Sequence, residues 1–231
     1  MNTASDTKLA LITGASRGFG AALAETLAVK GWHVIALGRT MGALEELDDR
    51  IKAKGGTVTL AAMDITQDDA MRHLCRDIHD RWGHLDLWAH TAIHAPPMSP
   101  ADHIALKDWD KCAAINIRAT GFLIPMIAPL LAAAPSRATA LFIDDPAAQG
   151  KFMGAYGASK AAQMALARAW QQESTRTGPR VLIEALPPMP TGTRARFYPG
   201  EAKAKLAPCR GEAARLLELI TSPDNLQQQQ T

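Results

Sequence analysis

The eight residues Thr13-Gly14-Ala15-Ser16-Arg17-Gly18-Phe19-Gly20 constrain the fold of this chain more than any other segment. They follow the apolar run Leu9-Ala10-Leu11-Ile12 and open an alanine-rich helical stretch, Ala21 to Lys30. A buried strand that runs through a glycine-punctuated turn into a helix makes an anion site. The N–H groups of the turn and the positive end of the helix dipole face the same point. In such a turn Gly14 permits the tight bend, Gly18 lets a pyrophosphate approach the backbone, and Gly20 lets the helix pack close to the strand. The spacing is Gly-x3-Gly-x-Gly rather than the commoner Gly-x-Gly-x2-Gly.

Beyond the turn, apolar runs alternate with helical patterns. Strands are expected at Leu9–Thr13, His33–Leu37, Thr57–Ala62, Leu85–Ala89, Ala140–Ile143 and Val181–Leu186. Helices are expected at Ala21–Lys30, Met41–Lys54, Gln67–Arg81, Ile104–Leu131 and Gly154–Thr177, with a shorter one at Gly211–Ile220. Repeated strand–helix–strand units imply a parallel sheet buried on both faces. Right-handed crossovers then give an α/β, doubly wound, Rossmann-like domain whose ligand lies at the carboxyl ends of the strands. Six strands are counted, seven at most, although no apolar run beyond Ile220 supplies a seventh. The loop Pro187-Pro188-Met189-Pro190-Thr191-Gly192 opens a segment, about 187–206, expected to wall the substrate site. The tail, 222–231, contains Gln227 to Gln230 and reads as disordered.

The 231 residues suit one large domain over 1–231 and are too few for two. The net charge is +2, and the basic residues are scattered without interleaved aromatics, so no nucleic-acid partner is expected. Cys75, Cys112 and Cys209 are far apart and odd in number, which argues against a disulfide framework or structural zinc and fits a reducing compartment. Met1 to Lys8 is polar and lacks a signal-peptide core. The longest apolar stretch, Gly121 to Ala134, contains Pro125 and Pro129 and falls short of the ~20 residues that span a bilayer. A cytoplasmic protein without a membrane association is therefore expected.

Three further residues fall in a telling order. Asn116 sits in an expected helix, and Tyr156 and Lys160, four apart at the start of another, share one helical face. Taken alone, Tyr-x3-Lys is an amphipathic tyrosine beside a solvated lysine. Taken with Thr13–Gly20 and the flanking strands, the set resembles the short-chain dehydrogenase/reductase family over roughly residues 8 to 200. The resemblance rests on Gly14, Gly18 and Gly20, on Tyr156 and Lys160 within Ala155-Tyr156-Gly157-Ala158-Ser159-Lys160, on Asn116 in Ile115-Asn116-Ile117, and on Asp64 in Met63-Asp64-Ile65.

That resemblance implies a small-molecule substrate and a nicotinamide cofactor. The expected cofactor contacts are Gly14, Ser16, Arg17, Gly18, Phe19 and Gly20 in the turn, Asp64 and Ile65 beside the adenine, and Thr91, Pro187 and Thr191 near the nicotinamide and phosphates. Lys160 would lower the Tyr156 phenol pKa and hold the ribose hydroxyls. Tyr156 would pass a proton to the substrate as hydride arrives, and Asn116 would hold a water linking Lys160 to solvent. NAD-preferring members end the second strand with an acid, whereas this chain reads Leu37-Gly38-Arg39-Thr40. Arg39, with Arg17, would flank a 2′-phosphate, so the cofactor is expected to be NADP. A homodimer built on the helices Ile104–Leu131 and Gly154–Thr177 is expected.

The chain departs from the family pattern at three places. The family's Asn-Asn-Ala-Gly is His90-Thr91-Ala92-Ile93 here; His90 and His94 lack a third ligand, so a polar strand-end contact is expected and no metal. The usual Pro-Gly is Pro187-Pro188, and proline removes an N–H where the backbone approaches the nicotinamide. Thr191 or Thr193 then serves the phosphates or the carboxamide. The catalytic serine is absent, and its slot reads Ile143-Asp144-Asp145-Pro146, so Asp145 or Asp144 fills it. An ionised carboxylate only accepts hydrogen bonds and repels a developing alkoxide. Either the aspartate is protonated, or the substrate carries a C=N group, as the aspartate of the pteridine reductase branch implies. The expected activity is hydride transfer to a small C=O or C=N substrate. The alternative is a cofactor-binding relative that has lost catalysis and acts through partners.

Overall fold

The computed structural model describes residues 7–222, so the tail expected to be disordered lies outside the described residues except for Ser222. The strands are β1 (Leu9–Thr13), β2 (His33–Gly38), β3 (Thr57–Ala62), β4 (Leu87–His90), β5 (Thr139–Asp144) and β6 (Arg180–Ala185). All pair in parallel in the order β3-β2-β1-β4-β5-β6. The direction of winding reverses between β1 and β4, which opens a crevice at their carboxyl ends. Six strands are present among the described residues, with β3 and β6 at the edges.

Both sheet faces are buried, as the unbroken apolar runs require. Side chains alternate along β1: Ala10 and Ile12 join one core with α1 (Gly18–Val29), α2 (Met41–Lys52) and α8 (Cys209–Thr221). Leu9 and Leu11 join the opposite core with α3 (Asp68–Trp82), α5 (Ala119–Ala132) and α6 (Gly154–Glu173). The expected helix Ile104–Leu131 is one continuous rod, built from α4 (Leu106–Cys112), a π-helical segment (Ala113–Arg118) and α5. By length and composition this rod, Leu106–Ala132, is apolar enough to cross a membrane, contrary to the expectation drawn from the shorter run. One side of it, Ala119, Leu123, Ile127, Leu130 and Leu131, is committed to the core against the sheet. β4 starts two residues later than expected; the Leu85 N–H is given to the Leu130 carbonyl, and the Asp86 N–H is the first to reach β1, at the Leu9 carbonyl.

α1, α2 and α8 are tied by a buried carboxylate. Glu25, 5% exposed on α1, accepts from Arg50 Nε at 2.5 Å, Lys54 Nζ at 2.8 Å and Arg210 Nη2 at 3.0 Å. Burial pushes the Glu25 carboxyl up, but the hydrogen bonds from Lys54 and Arg50 outweigh it and leave the group below its usual value. A depressed folded-state value stabilises the fold above the unfolded pKa and is lost as pH falls through the folded one. Glu25→Gln should therefore lower the stability to urea at pH 7 by about 1–3 kcal/mol. The gap between wild type and variant should close below about pH 4, and a gap independent of pH would contradict the clamp.

Candidate active site

The glycine turn stands at the head of the crevice. Gly14 and Ala15 N–H groups both donate to the Leu37 carbonyl at 2.9 Å, which fastens the turn to β2. Gly14 has φ +82°, and a Cβ there would lie 2.7 Å from Ala92 N. A Cβ on Gly20 would lie 2.4 Å from the Gly14 carbonyl oxygen and from Thr91 Oγ1, so this glycine sets the closeness of α1 to the strand ends. Gly18, at φ +60°, differs: its Cβ would meet only the Thr191 side chain, with Cγ2 nearest at 3.5 Å. The Gly18 backbone is thus less crowded than that of Gly14 or Gly20, with the Thr191 side chain as its facing wall. No side chain caps α1, and its first turn carries no acid, which leaves its N–H groups free for an anion. Thr91 Oγ1 donates to the Thr13 carbonyl at 2.7 Å and completes the floor.

At the far end Asp64 is held by its own loop, its Oδ1 accepting from Thr66 N and Thr66 Oγ1 at 2.9 Å. Arg39 is 62% exposed, with Nη1 3.9 Å from Asp64 Oδ2, so its guanidinium is largely uncommitted. A Cβ on Gly38 would lie 3.0 Å from Ser16 Cβ, so the end of β2 has little room for an acidic side chain beside the turn.

The chemical end is built from β5 and α6. Asp145 Oδ2 accepts from the Tyr156 hydroxyl at 3.0 Å, and its Oδ1 accepts from Ala147 N at 3.1 Å. Asp144 turns the other way, to Arg168 at 2.9 Å and to the Asp145 N–H at 2.8 Å. Asp145 therefore fills the slot opposite Tyr156. Both its oxygens act as acceptors, an arrangement that suits a carboxylate and offers a carbonyl substrate no donor. Burial first, and then the Asp145 charge and hydrogen bond, hold the Tyr156 phenol far above its usual value. This departs from the expected lowering by Lys160: the ammonium is turned to the Ile143 carbonyl and to Gln163 Oε1, the latter at 2.8 Å. Burial pushes Lys160 down to about 8, against the pull of Asp144 and Asp145.

Asn116 does not line the crevice. It is fully buried, with its amide bonded to the His94 backbone N–H at 2.8 Å, the His94 carbonyl at 2.9 Å and Ser159 Oγ at 2.8 Å. Its backbone carbonyl accepts from Thr120 Oγ1 at 2.9 Å. Asn116 lies within the π-helical segment, Ala113–Arg118. His90, at the end of β4, has both ring nitrogens engaged, with Thr13 Oγ1 at 2.8 Å and Thr120 Oγ1 at 3.0 Å. It is a strand-end contact, and among the described residues no cluster of metal-ligating side chains occurs.

Together these walls enclose a cleft of about 740 Å³. Gly14, Ser16, Arg17, Gly18, Phe19, Gly20 and Thr91 line its turn end, and Arg39, Asp64 and Ile65 the end beyond β2. Asp145, Tyr156, Lys160, Pro187 and Thr191 line the remainder. Thr193 lines it too, but Thr191 is the one opposite Gly18, where its hydroxyl also accepts from Arg194 N to cap α7 (Gly192–Phe197). Phe197 of that helix packs on the Tyr156 ring with centroids 5.0 Å apart. Gln163 also lines the cleft; the sequence reading missed it, although a polar residue one turn after Lys160 on the same face was the available signal.

Residues 8–202 match the short chain dehydrogenase family model, and the chain belongs to that family. It is 28% identical over 181 residues to an uncharacterized oxidoreductase of Staphylococcus saprophyticus, covering 75% of each chain. It is 26% identical to an NADP-dependent 3-hydroxy acid dehydrogenase of Escherichia coli over 52% of this chain and 48% of that one. A short chain dehydrogenase of Shigella flexneri, solved with NADP, superposes with a TM-score of 0.85 at 25% identity, over 92% of this chain and 90% of that one.

Proposed function

We propose that the chain is an NADP-dependent reductase of a small C=O or C=N substrate, acting as one domain with Tyr156 as proton donor. The observation that carries this reading is the presence of the Tyr156 hydroxyl and the Lys160 ammonium in the cleft that begins at the uncapped glycine turn. The cofactor fits what the chain offers: free N–H groups at the start of α1, a less crowded backbone at Gly18, and an uncommitted Arg39 where an acid would disfavour a 2′-phosphate. The NADP named for two of the relatives supports the same choice. When bound, the nicotinamide supplies the hydride.

The remaining work falls to the chain. Lys160 has three N–H groups, two of which go to Ile143 and Gln163, and the third serves the ribose hydroxyls. Tyr156 keeps its proton throughout the neutral range, which is the state reduction consumes and the reverse of what alcohol oxidation needs. Asp145 orients the Tyr156 hydroxyl and presents negative charge to the reacting group, which favours C=N over C=O. Leu106, Trp109, Ile117 and Leu166 are exposed on the α4–α6 side and supply an apolar face for a homodimer. A cytoplasmic location accompanies this reading.

The test is NADPH consumption with ketones, aldehydes, cyclic imines and dihydropterins, beside titrations of both cofactors. NADPH should bind more tightly than NADH by about ten- to a hundredfold, the worth of a charge-assisted bond of ~1.5–3 kcal/mol. Arg39→Ala should erase most of that difference. Equal affinities in the wild type would overturn the cofactor assignment, and the absence of hydride transfer to any substrate class would overturn the reductase.

A further inference from the structure

We propose that Gln163 is a positioning residue for Lys160, heading a buried chain of side chains that runs through Thr120 and His90 to Thr13 and holds the ammonium charged and facing the cleft. The proposal rests on the reading of Lys160 as the residue that serves the cofactor. Gln163 lies three residues after Lys160 on α6, so the two side chains share a face. Lys160, Gln163, Thr120, His90 and Thr13 are each at most 6% exposed, so water does not substitute freely for any of these bonds.

The directions of the bonds follow from two groups of fixed polarity, the Lys160 ammonium, which only donates, and the Asn116 carbonyl, which only accepts. An ammonium only donates, so Gln163 must turn its carbonyl oxygen to Lys160, at 2.8 Å. Its amide nitrogen then donates to Thr120 Oγ1 at 3.0 Å. The single hydroxyl proton of Thr120 goes to the Asn116 carbonyl at 2.9 Å. The Thr120 oxygen is thereby an acceptor toward His90, whose Nε2 carries the proton, at 3.0 Å. His90 Nδ1 is left to accept from Thr13 Oγ1 at 2.8 Å, a closer acceptor for that hydroxyl than the Ala89 carbonyl at 3.4 Å, at the end of β1. Burial, and then the Lys160 charge, push His90 down to about 3, which keeps the ring neutral as this arrangement requires.

Every member is satisfied in one polarity, and that polarity points acceptors toward the ammonium. With an apolar residue at 163, the Ile143 carbonyl would be the remaining protein acceptor for a buried cation. The other charged or titratable groups around Lys160 are Asp144 and Asp145 at the end of β5, His90 at the end of β4, and Tyr156 one turn earlier on α6. The π-helical segment presents the neutral Asn116 on this side.

The experiment is an NMR titration of protein labelled with 13C at the lysine ε-carbon, with the Lys160 signal assigned by its loss in Lys160→Arg. It is run on wild type, Gln163→Leu and Gln163→Glu, each checked for folding by its thermal transition. Gln163→Leu should lower the Lys160 midpoint by about one pH unit, a tenfold change in its deprotonation equilibrium. Gln163→Glu, which keeps an acceptor and adds negative charge, should raise it by a similar amount. An unchanged midpoint in a folded variant, or movement of both variants in the same direction, overturns the proposal. If Gln163→Leu does not fold, the sign of the shift in Gln163→Glu decides alone. The readout needs no substrate and no turnover, so a chain that transfers no hydride would fail the reductase reading while this test still answered.

Discussion

Replacing Tyr156 by Phe is expected to lower turnover by about 10²–10⁴-fold, the range lost with a positioned proton donor. The ring is retained, and with it the packing against Phe197 at 5.0 Å. NADPH affinity should therefore change little, and the loss should fall on kcat. Asp145 loses the hydroxyl it accepts from, but it keeps the Ala147 N–H at 3.1 Å, so its position survives the change. Steady-state kinetics with the best substrate from the NADPH screen, beside a cofactor titration by fluorescence, separate the two effects. Undiminished turnover would mean that the proton comes from elsewhere and would remove the main argument for this tyrosine.

The parts of the fold that depend on local pattern were legible in the sequence. The strand–turn–helix at Leu9 to Val29 follows from an apolar run, three glycines and an alanine-rich segment, all adjacent in the chain. The three glycines differ in their surroundings: a Cβ at Gly14 or Gly20 would lie within 2.7 Å of other chain atoms, whereas one at Gly18 would only touch the Thr191 side chain, at 3.5 Å. Tyr156 and Lys160 lie one helical turn apart, so their common face needed no tertiary information. What stayed hidden depends on which groups meet from distant elements. Asp144 and Asp145 are neighbours at the end of a strand, where successive side chains point to opposite sides, and only the position of Arg168 on α6 shows which one turns away. Asn116 was found by resemblance, yet its amide is bound to the His94 backbone, 22 residues away, and its carbonyl to Thr120. Gln163 reaches Thr120 across 43 residues, a contact that periodicity cannot reveal. The expected lowering of the Tyr156 pKa failed for a related reason. It presumed a lysine turned to the phenol, whereas the Ile143 carbonyl and Gln163 draw the ammonium aside.

The substitution expected to change the choice of substrate is at Asp145. Its carboxylate accepts from the Tyr156 hydroxyl at 3.0 Å. A carbonyl oxygen that gains negative charge finds a second negative charge beside it, while a protonated C=N nitrogen finds a counter-ion in a cleft of low dielectric. Wild type should therefore reduce cyclic imines faster than matched cyclic ketones. Asp145→Ser puts a donor where an acceptor stood, and should raise the ratio of ketone to imine reduction by about 10²–10³-fold, the worth of one such donor. Asp145→Asn preserves the shape and removes the charge, so it should lose imine reduction while the Tyr156 hydroxyl keeps an acceptor. Asp144→Asn is the control: that side chain faces Arg168, so the ratio should hardly move. The measurement is kcat/KM for each pair of substrates across pH 5 to 8. A wild type that prefers ketones, with a rate constant across that range, would show that Asp145 serves the backbone, where it accepts from Ala147 N and caps the turn after β5, and does not select the substrate.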